Sequence, residues 1–218
     1  VNFYPFEDTM KRKADIHEII ENIDIGGPSL VRAAAKNHES VIVIVDPNDY
    51  GMIIEKLKLG KVDVETRRKL AAKAFLCTAR YDTIISRYSA EHFLKEDFPQ
   101  FYNFSFEKVQ DLRYGENPHQ KAAFYKSFWV TETCVSTAKQ LHGKELSFNN
   151  ILDMDAAFEL VKDFEEPCAA IIKHTNPSGV ASAETIEEAY KMAYETAPKS
   201  AFGSVVAFNR PCTKKIAE

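Results

Sequence analysis

Hydrophobic positions change their period several times along the chain, and each change marks an element. Residues 1–4 read as the end of a strand closed by Pro5, after which Asp8 and Thr9 lead into a polar stretch. Ile16, Ile19 and Ile20 recur at helical spacing within 15–22, which predicts a short amphipathic helix. A second helix is expected over 29–37, following Asp24-Ile25-Gly26-Gly27-Pro28, where Pro28 suits a first turn. The run Val41-Ile42-Val43-Ile44-Val45 is β-branched on both faces, the mark of a strand covered on either side in a parallel sheet. Asp46-Pro47-Asn48-Asp49 turns that strand into a helix through Leu59. Leu70, Ala74, Cys77, Tyr81, Ile84, Ile85 and Tyr88 then stripe a long helix over 64–93 that docks on the sheet.

The pattern breaks between Asp97 and Phe106, where Phe98, Phe101, Tyr102, Phe104 and Phe106 crowd around Pro99. A boundary placed here divides the chain into regions 1–104 and 105–218. In the second region 111–120 is a polar, extended segment and 122–125 a short strand. A helix over 150–164 turns Ile151, Met154, Ala157, Phe158 and Val161 inward, with Asn149 and Asn150 at its start as caps or ligands. A strand over 168–172 delivers Lys173 and His174 to a turn at Asn176-Pro177. Gly179 relieves steric limits there, so a tight loop is expected rather than a longer strand. Thr185 and Glu188 have capping-box spacing before a helix lined by Ile186, Ala189, Tyr190 and Ala193, and a strand follows at 205–208. Strands alternating with helices give an α/β fold class with the doubly wound pattern, in two α/β regions.

Composition narrows the function classes. With 45% hydrophobic and 28% charged residues the chain is an ordinary globular protein able to bury a core, with no low-complexity tract. A net charge of −4 argues against nucleic acid as partner, because phosphate backbones select a net basic face. No apolar run reaches membrane-spanning length. Cys77, Cys134, Cys168 and Cys212 form no CxxC pair, which suits a reduced, cytoplasmic protein better than a disulfide framework or a structural zinc site. The chain opens on Val1 rather than Met and closes at Glu218 in what reads as the first turn of a helix, as expected of a piece of a longer protein.

Three places carry candidate chemistry. Lys173 and His174 end an apolar strand, where a site commonly sits in an α/β fold; alternatively Lys173 is solvated and His174 is a turn residue satisfied by local backbone. Gly26-Gly27-Pro28 before a helix offers free backbone amides to an anion, or is a plain turn. Arg113, in Asp111-Leu112-Arg113-Tyr114-Gly115-Glu116-Asn117-Pro118-His119-Gln120, is a fork for carboxylate or phosphate, or a salt bridge pinning the segment. A zinc deaminase is excluded: His174 is followed by Thr175 and Asn176, and Pro211-Cys212 by Thr213, Lys214 and Lys215, so neither half of its metal signature is present. Walker and Gly-x-Gly-x-x-Gly loops are absent as well.

Asp24-Ile25-Gly26-Gly27, Arg32-Ala33-Ala34-Ala35-Lys36-Asn37, Leu112 to Gln120 and Lys173-His174-Thr175-Asn176-Pro177-Ser178-Gly179-Val180 occur in one order. Together they resemble a bifunctional family of purine biosynthesis in which phosphoribosylaminoimidazolecarboxamide (AICAR) formyltransferase is joined to IMP cyclohydrolase. The resemblance runs from Val1 to Glu218. It implies that 1–104 is the carboxyl-terminal portion of the cyclohydrolase domain, with a methylglyoxal-synthase-like fold. Residues 105–218 would then be the amino-terminal portion of the formyltransferase domain, with a cytidine-deaminase-like fold that lacks zinc.

The implied reaction moves a formyl group from the co-substrate 10-formyltetrahydrofolate to AICAR and closes formyl-AICAR to IMP, with no catalytic metal. Lys173 and His174 would act in transfer, with Arg113, Tyr114 and the Gly203 backbone holding AICAR. Tyr4, Asp24 and Lys36 would act in cyclisation, with Val1, Asn2 and Ile25 around the nucleotide; the Gly-Gly turn is expected to let Asp24 and Lys36 converge. The resemblance also implies a homodimer. Phe3, Ser178 and Ser204 stand where the family commonly has Leu, Cys and a second Gly, and the family's amino-terminal phosphate loops and later folate-site residues lie outside these 218 residues. A non-catalytic nucleotide-binding or sensor module of the same fold is the alternative reading.

Overall fold

The structure is a computed structural model that describes residues 1–96 and 98–217. It is a mixed α/β chain divided into two compact units, Val1–Ser105 and Phe106–Glu218.

The first unit holds helices α1 (Phe6–Lys11), α2 (Ile16–Glu21), α3 (Gly26–Lys36), α4 (Tyr50–Lys58) and α5 (Val64–Ser89). The side chains of Asp15 and Asp63 cap α2 and α5 by accepting amides of the first turn. Helix α1 replaces the expected polar stretch: Phe6 and Thr9, three residues apart, are both fully buried, and Phe6 meets Tyr81 and Tyr88 edge-on. Helix α3 begins at Gly26, three residues earlier than expected, so the Gly-Gly-Pro sequence is its first turn.

No strand forms among the described residues of this unit, which corrects the expected strands at 1–4 and 41–45. The pleat of 41–45 is nonetheless present. Val43 and Val45 pack with Val31, Ala35, Ala71 and Ala74, whereas Ile42 and Ile44 pack with Ile53, Val62 and Leu70. Alternate residues thus go to opposite faces, as in an extended chain covered on both sides. What is missing is a ladder: the 1–4 segment reaches this run through a bond from the Val1 amino group to the Ile44 carbonyl, 3.0 Å.

The second unit holds an antiparallel pair, β1 (Phe106–Leu112) with β2 (Ala122–Ser127), and helix α6 (Phe148–Lys162). Strands β3 (Cys168–Lys173), β4 (Asn176–Ser182) and β5 (Val205–Phe208) form a sheet in the order β4-β3-β5. Helices α7 (Ile186–Thr196), α8 (Pro198–Ala201) and α9 (Lys214–Ala217) complete the unit. Both sheets are antiparallel, which corrects the doubly wound parallel expectation. The reason lies after Lys173, where the chain turns back at once and pairs with β3 instead of crossing over through a helix.

Strand β3 is buried on both faces by period-2 sorting. Ala169 and Ile171 pack with Ile186, Ala189 and Ala193 of α7, while Cys168 and Ala170 pack with Val161 and Phe158 of α6. Full burial of an isoleucine such as Ile171 contributes about 1.5–3 kcal/mol, so this sandwich anchors the end of β3 firmly.

Candidate functional site

In the second unit Lys173 pairs with Asn176 across the β3–β4 ladder, leaving His174 and Thr175 as a two-residue hairpin loop. Both have positive φ, 53° and 61°, the type I′ pattern. That conformation is native to Gly and Asn and unfavourable for His and still more for β-branched Thr, at a cost of about 1–3 kcal/mol each. The peptide joining them is bound at both ends. Its carbonyl accepts from Asn176 Nδ2 at 2.8 Å and from Thr175 Oγ1 at 2.7 Å, and its N–H donates to Asp153 Oδ1 at 2.7 Å. The imidazole of His174 is exposed. Lys173 Nζ donates to the Phe202 carbonyl at 3.2 Å, so its ammonium lies at the peptide that leads into Gly203. Gly203 has φ +74° and open space where a side chain would stand.

Arg113 and Tyr114 follow β1 and are tied to the start of α6. Arg113 N donates to the Leu146 carbonyl at 2.8 Å, and Phe148 N to the Tyr114 carbonyl at 3.1 Å. The Arg113 guanidinium lies 4.8 Å from the centre of the Tyr114 ring and donates to its hydroxyl at 3.1 Å. Hydrogen bonding with Ser147 first, and with Arg113 second, holds the Tyr114 phenol below its ordinary range. Of the two asparagines expected at this helix start, Asn150 completes a capping box with Ser147, and Asn149 Nδ2 donates to the Glu116 carbonyl at 3.1 Å. Helix α6 is therefore a shared platform: its start carries Arg113-Tyr114 and its Asp153, about 7.5 Å further along the axis, carries the hairpin. An exposed imidazole can exchange a proton, the ammonium of the residue before it can stabilise an anion, and a guanidinium fork on the same platform can hold a second anionic or planar group.

In the first unit both oxygens of the nearly buried Asp24 are engaged by backbone. Oδ1 accepts from Gly27 N at 2.7 Å and Oδ2 from Tyr4 N at 3.3 Å, while Asp24 N donates to the Tyr81 hydroxyl at 2.7 Å. Tyr4 and Asp24 are thus brought together through backbone. Val1, Asn2, Tyr4 and Ile25 are exposed. Val1 also borders an apolar recess of about 270 Å³ with Leu30, Ala34 and Tyr50. Lys36 is in the last turn of α3, about 15 Å of helix rise from Gly26. Both glycines are inside the helix between Asp24 and Lys36, so the Gly-Gly sequence is helix rather than the turn expected to let the two converge.

The sequence pattern of the AICARFT/IMPCHase bienzyme family matches residues 34–218. The chain belongs to this family. It is 53% identical to the bifunctional purine biosynthesis protein PurH of Acetivibrio thermocellus over 220 aligned residues, covering all of this chain and 43% of that protein. PurH of Bacillus cytotoxicus gives the same identity and coverage, and PurH of Persephonella marina is 54% identical over 213 residues, 96% of this chain and 41% of that protein. The chain thus spans about two-fifths of the length of these relatives.

Within this bienzyme-family chain, two residues that shape the candidate sites were not apparent from the sequence. Asp153 meets Thr175 across 22 residues of chain, and Tyr81 meets Asp24 across 57. Each lies in a helical pattern where its neighbours report only packing, and no local motif marks it. Among the described residues no group of three His, Cys, Asp or Glu side chains could hold a metal ion, and no helix is long and apolar enough to cross a membrane.

Proposed function

We propose that this chain supplies parts of two sites in an enzyme of purine biosynthesis, one transferring a formyl group from 10-formyltetrahydrofolate to AICAR and the other closing formyl-AICAR to IMP. Residues 105–218 are the amino-terminal part of the transferase domain, with a deaminase-like fold without zinc, and 1–104 the carboxyl-terminal part of the cyclohydrolase domain, with a methylglyoxal-synthase-like fold. The observation that carries the reading is the strained His174-Thr175 turn beside Lys173, since strain of this kind persists where surrounding bonds hold it and clusters at working sites.

In the transfer step the 5-amino nitrogen of AICAR attacks the formyl carbon. That amine is conjugated with the imidazole and its carboxamide, so it is a weak nucleophile until its proton is removed. His174 takes that proton as the new C–N bond forms, and Lys173 stabilises the negative charge on the formyl oxygen. Collapse of the intermediate breaks the bond to folate nitrogen, which leaves with a proton as tetrahydrofolate. Arg113, Tyr114 and the Gly203 backbone hold AICAR. In cyclisation the carboxamide nitrogen attacks the formyl carbon and water leaves. Tyr4 and Lys36 serve proton transfer and the oxyanion, Val1, Asn2 and Ile25 border the nucleotide, and Asp24, with both oxygens on backbone amides, holds the Tyr4 backbone against the start of α3. The enzyme works as a cytoplasmic homodimer.

The test uses the intact protein. His174→Ala should lower tetrahydrofolate release about 10²- to 10⁴-fold, equivalent to roughly 3–5 kcal/mol of barrier, and leave cyclisation of supplied formyl-AICAR unchanged. Equal loss of both reactions in a folded variant would refute the two-site assignment. AICAR binding by the unaltered protein with no tetrahydrofolate release would favour the sensor reading, which the relatives do not support.

A further inference from the structure

We propose that Asp153 is a positioning residue for formyl transfer, acting through the backbone of the His174-Thr175 turn. The inference rests on the reading of Lys173 and His174 as the acting pair. It starts from a conflict between sequence and conformation. A two-residue hairpin with φ positive at both positions is built most readily from Asn-Gly, yet the chain presents His-Thr. Left to itself such a dipeptide relaxes toward ordinary backbone angles, which would rotate the His174–Thr175 peptide and swing the imidazole relative to Lys173. Asn176 Nδ2 and Thr175 Oγ1 bind the carbonyl of that peptide, but both belong to the hairpin and would move with it. Asp153 is the contact that comes from elsewhere. Its carboxylate accepts the Thr175 N–H at 2.7 Å from α6, the same helix whose start carries Arg113 and Tyr114.

The contact has two consequences. A carboxylate accepting a backbone N–H is a charge-assisted bond, stronger than the amide–carbonyl bond that would replace it. It also gives the imidazole and the Arg113-Tyr114 pair one rigid reference, so the general base stays in register with the bound nucleotide. Displacement of a reacting group by about 1 Å can cost on the order of 10² in rate. Asp153 touches neither the imidazole nor the ammonium in this arrangement, and its effect passes through a peptide plane.

The experiment uses the intact protein and three variants. Asp153→Ala should lower kcat for tetrahydrofolate release about 10- to 100-fold with little change in KM for AICAR, while cyclisation of formyl-AICAR, read in the same preparation, stays at the unaltered level. Asp153→Asn keeps an acceptor oxygen and should remain within a few-fold of the parent protein. In Asp153→Ala/Thr175→Gly, glycine adopts the positive φ without an external tie, and transfer should recover most of its rate. Unchanged kcat in Asp153→Ala, no recovery in the double variant, or an Asn variant as impaired as Ala would overturn the inference. Amide hydrogen exchange at Thr175 decides the contact independently of activity. Protection should be present in the parent and Asn proteins and lost in Asp153→Ala, and protection retained in Asp153→Ala would overturn the inference even in a protein that transfers no formyl group. Absence of tetrahydrofolate release from the parent protein would instead refute the proposed function.

Discussion

The Asp24 carboxylate accepts the Gly27 amide at 2.7 Å, and a methyl group built on Gly27 would overlap that same carboxylate. Gly27 is therefore glycine because its neighbour three residues back closes over it. Gly27→Ala should destabilise the first unit by about 1–3 kcal/mol, the range for overpacking, despite alanine's better helix propensity. Asp24→Ala should cost about 0.5–2 kcal/mol, as for loss of a capping side chain. In the double variant the obstacle is gone, so the combined loss should be smaller than the sum of the two. Urea denaturation of the three variants checks this, and simple additivity would refute the collision.

Tyr81 serves the same loop from the opposite side. Its hydroxyl accepts Asp24 N at 2.7 Å and donates to the Asn22 carbonyl at 3.2 Å, while its ring packs 4.9 Å from that of Phe3. Tyr81→Phe keeps the ring and strips both bonds, leaving a buried backbone amide without its acceptor. The expected loss is about 1–3 kcal/mol, read as a lower denaturation midpoint. An unchanged midpoint would mean that the loop does not depend on the hydroxyl.

Core faces were more legible in the sequence than pairing. The stripe from Leu70 to Tyr88 packs as its helical spacing predicts, and the alternation over 41–45 sorts valines from isoleucines onto two faces. Both are local periodicities, which burial enforces residue by residue. Whether an extended run acquires a ladder depends on which other segment lies beside it, and nothing in Val41 to Val45 encodes that. At the candidate site, the strand that delivers Lys173 and His174 was legible from its apolar run, whereas Asn176-Pro177, expected to turn the chain, opens strand β4 and the turn falls earlier, at His174-Thr175. The hairpin was not, because His-Thr is a poor type I′ sequence and is held in that form by Asp153, 22 residues away.

Acid sensitivity should be traceable to Glu7. Burial pushes its carboxyl up, but hydrogen bonds from Lys11 at 2.7 Å and Arg80 at 2.6 Å, with their positive charges, outweigh burial and hold it below its ordinary value of 4.5. A depressed carboxyl contributes stability that is present above its unfolded value and lost as pH falls through the folded one. Glu7→Gln should therefore be less stable than the parent at pH 7, and the gap should close as pH falls below 4.5. Denaturation at pH 7 and pH 3 checks the sign, and a gap that widens in acid would refute it.

Thiol labelling should separate surface from core. Cys212 is exposed, whereas Cys168 is fully buried in the β3–α6 layer and burial pushes its thiol up. A maleimide should modify Cys212 in the folded protein while Cys168 stays unlabelled until the second unit opens. Peptide mass spectrometry against denaturant concentration reads both, and early labelling of Cys168 would contradict its burial.

Gly179 was expected from sequence to ease a turn, yet it lies within β4 and has no positive φ. Its role is close approach: a methyl group there would overlap the carbonyl of Ala193, backbone of α7 that cannot swing aside as a side chain can. Helix α7 would have to lift from β4, separating Ile186, Ala189 and Ala193 from Ala169 and Ile171. Gly179→Ala should accordingly cost about 3 kcal/mol, the upper part of the overpacking range. Gly203 is the opposite case, with φ +74° and no atom near the added methyl, so Gly203→Ala should cost only the left-handed backbone penalty of about 1–2 kcal/mol. Denaturation of the two variants side by side tests the distinction, and a larger loss at Gly203 would show that backbone angle, rather than the seating of α7 on β4, sets the need for glycine in this unit.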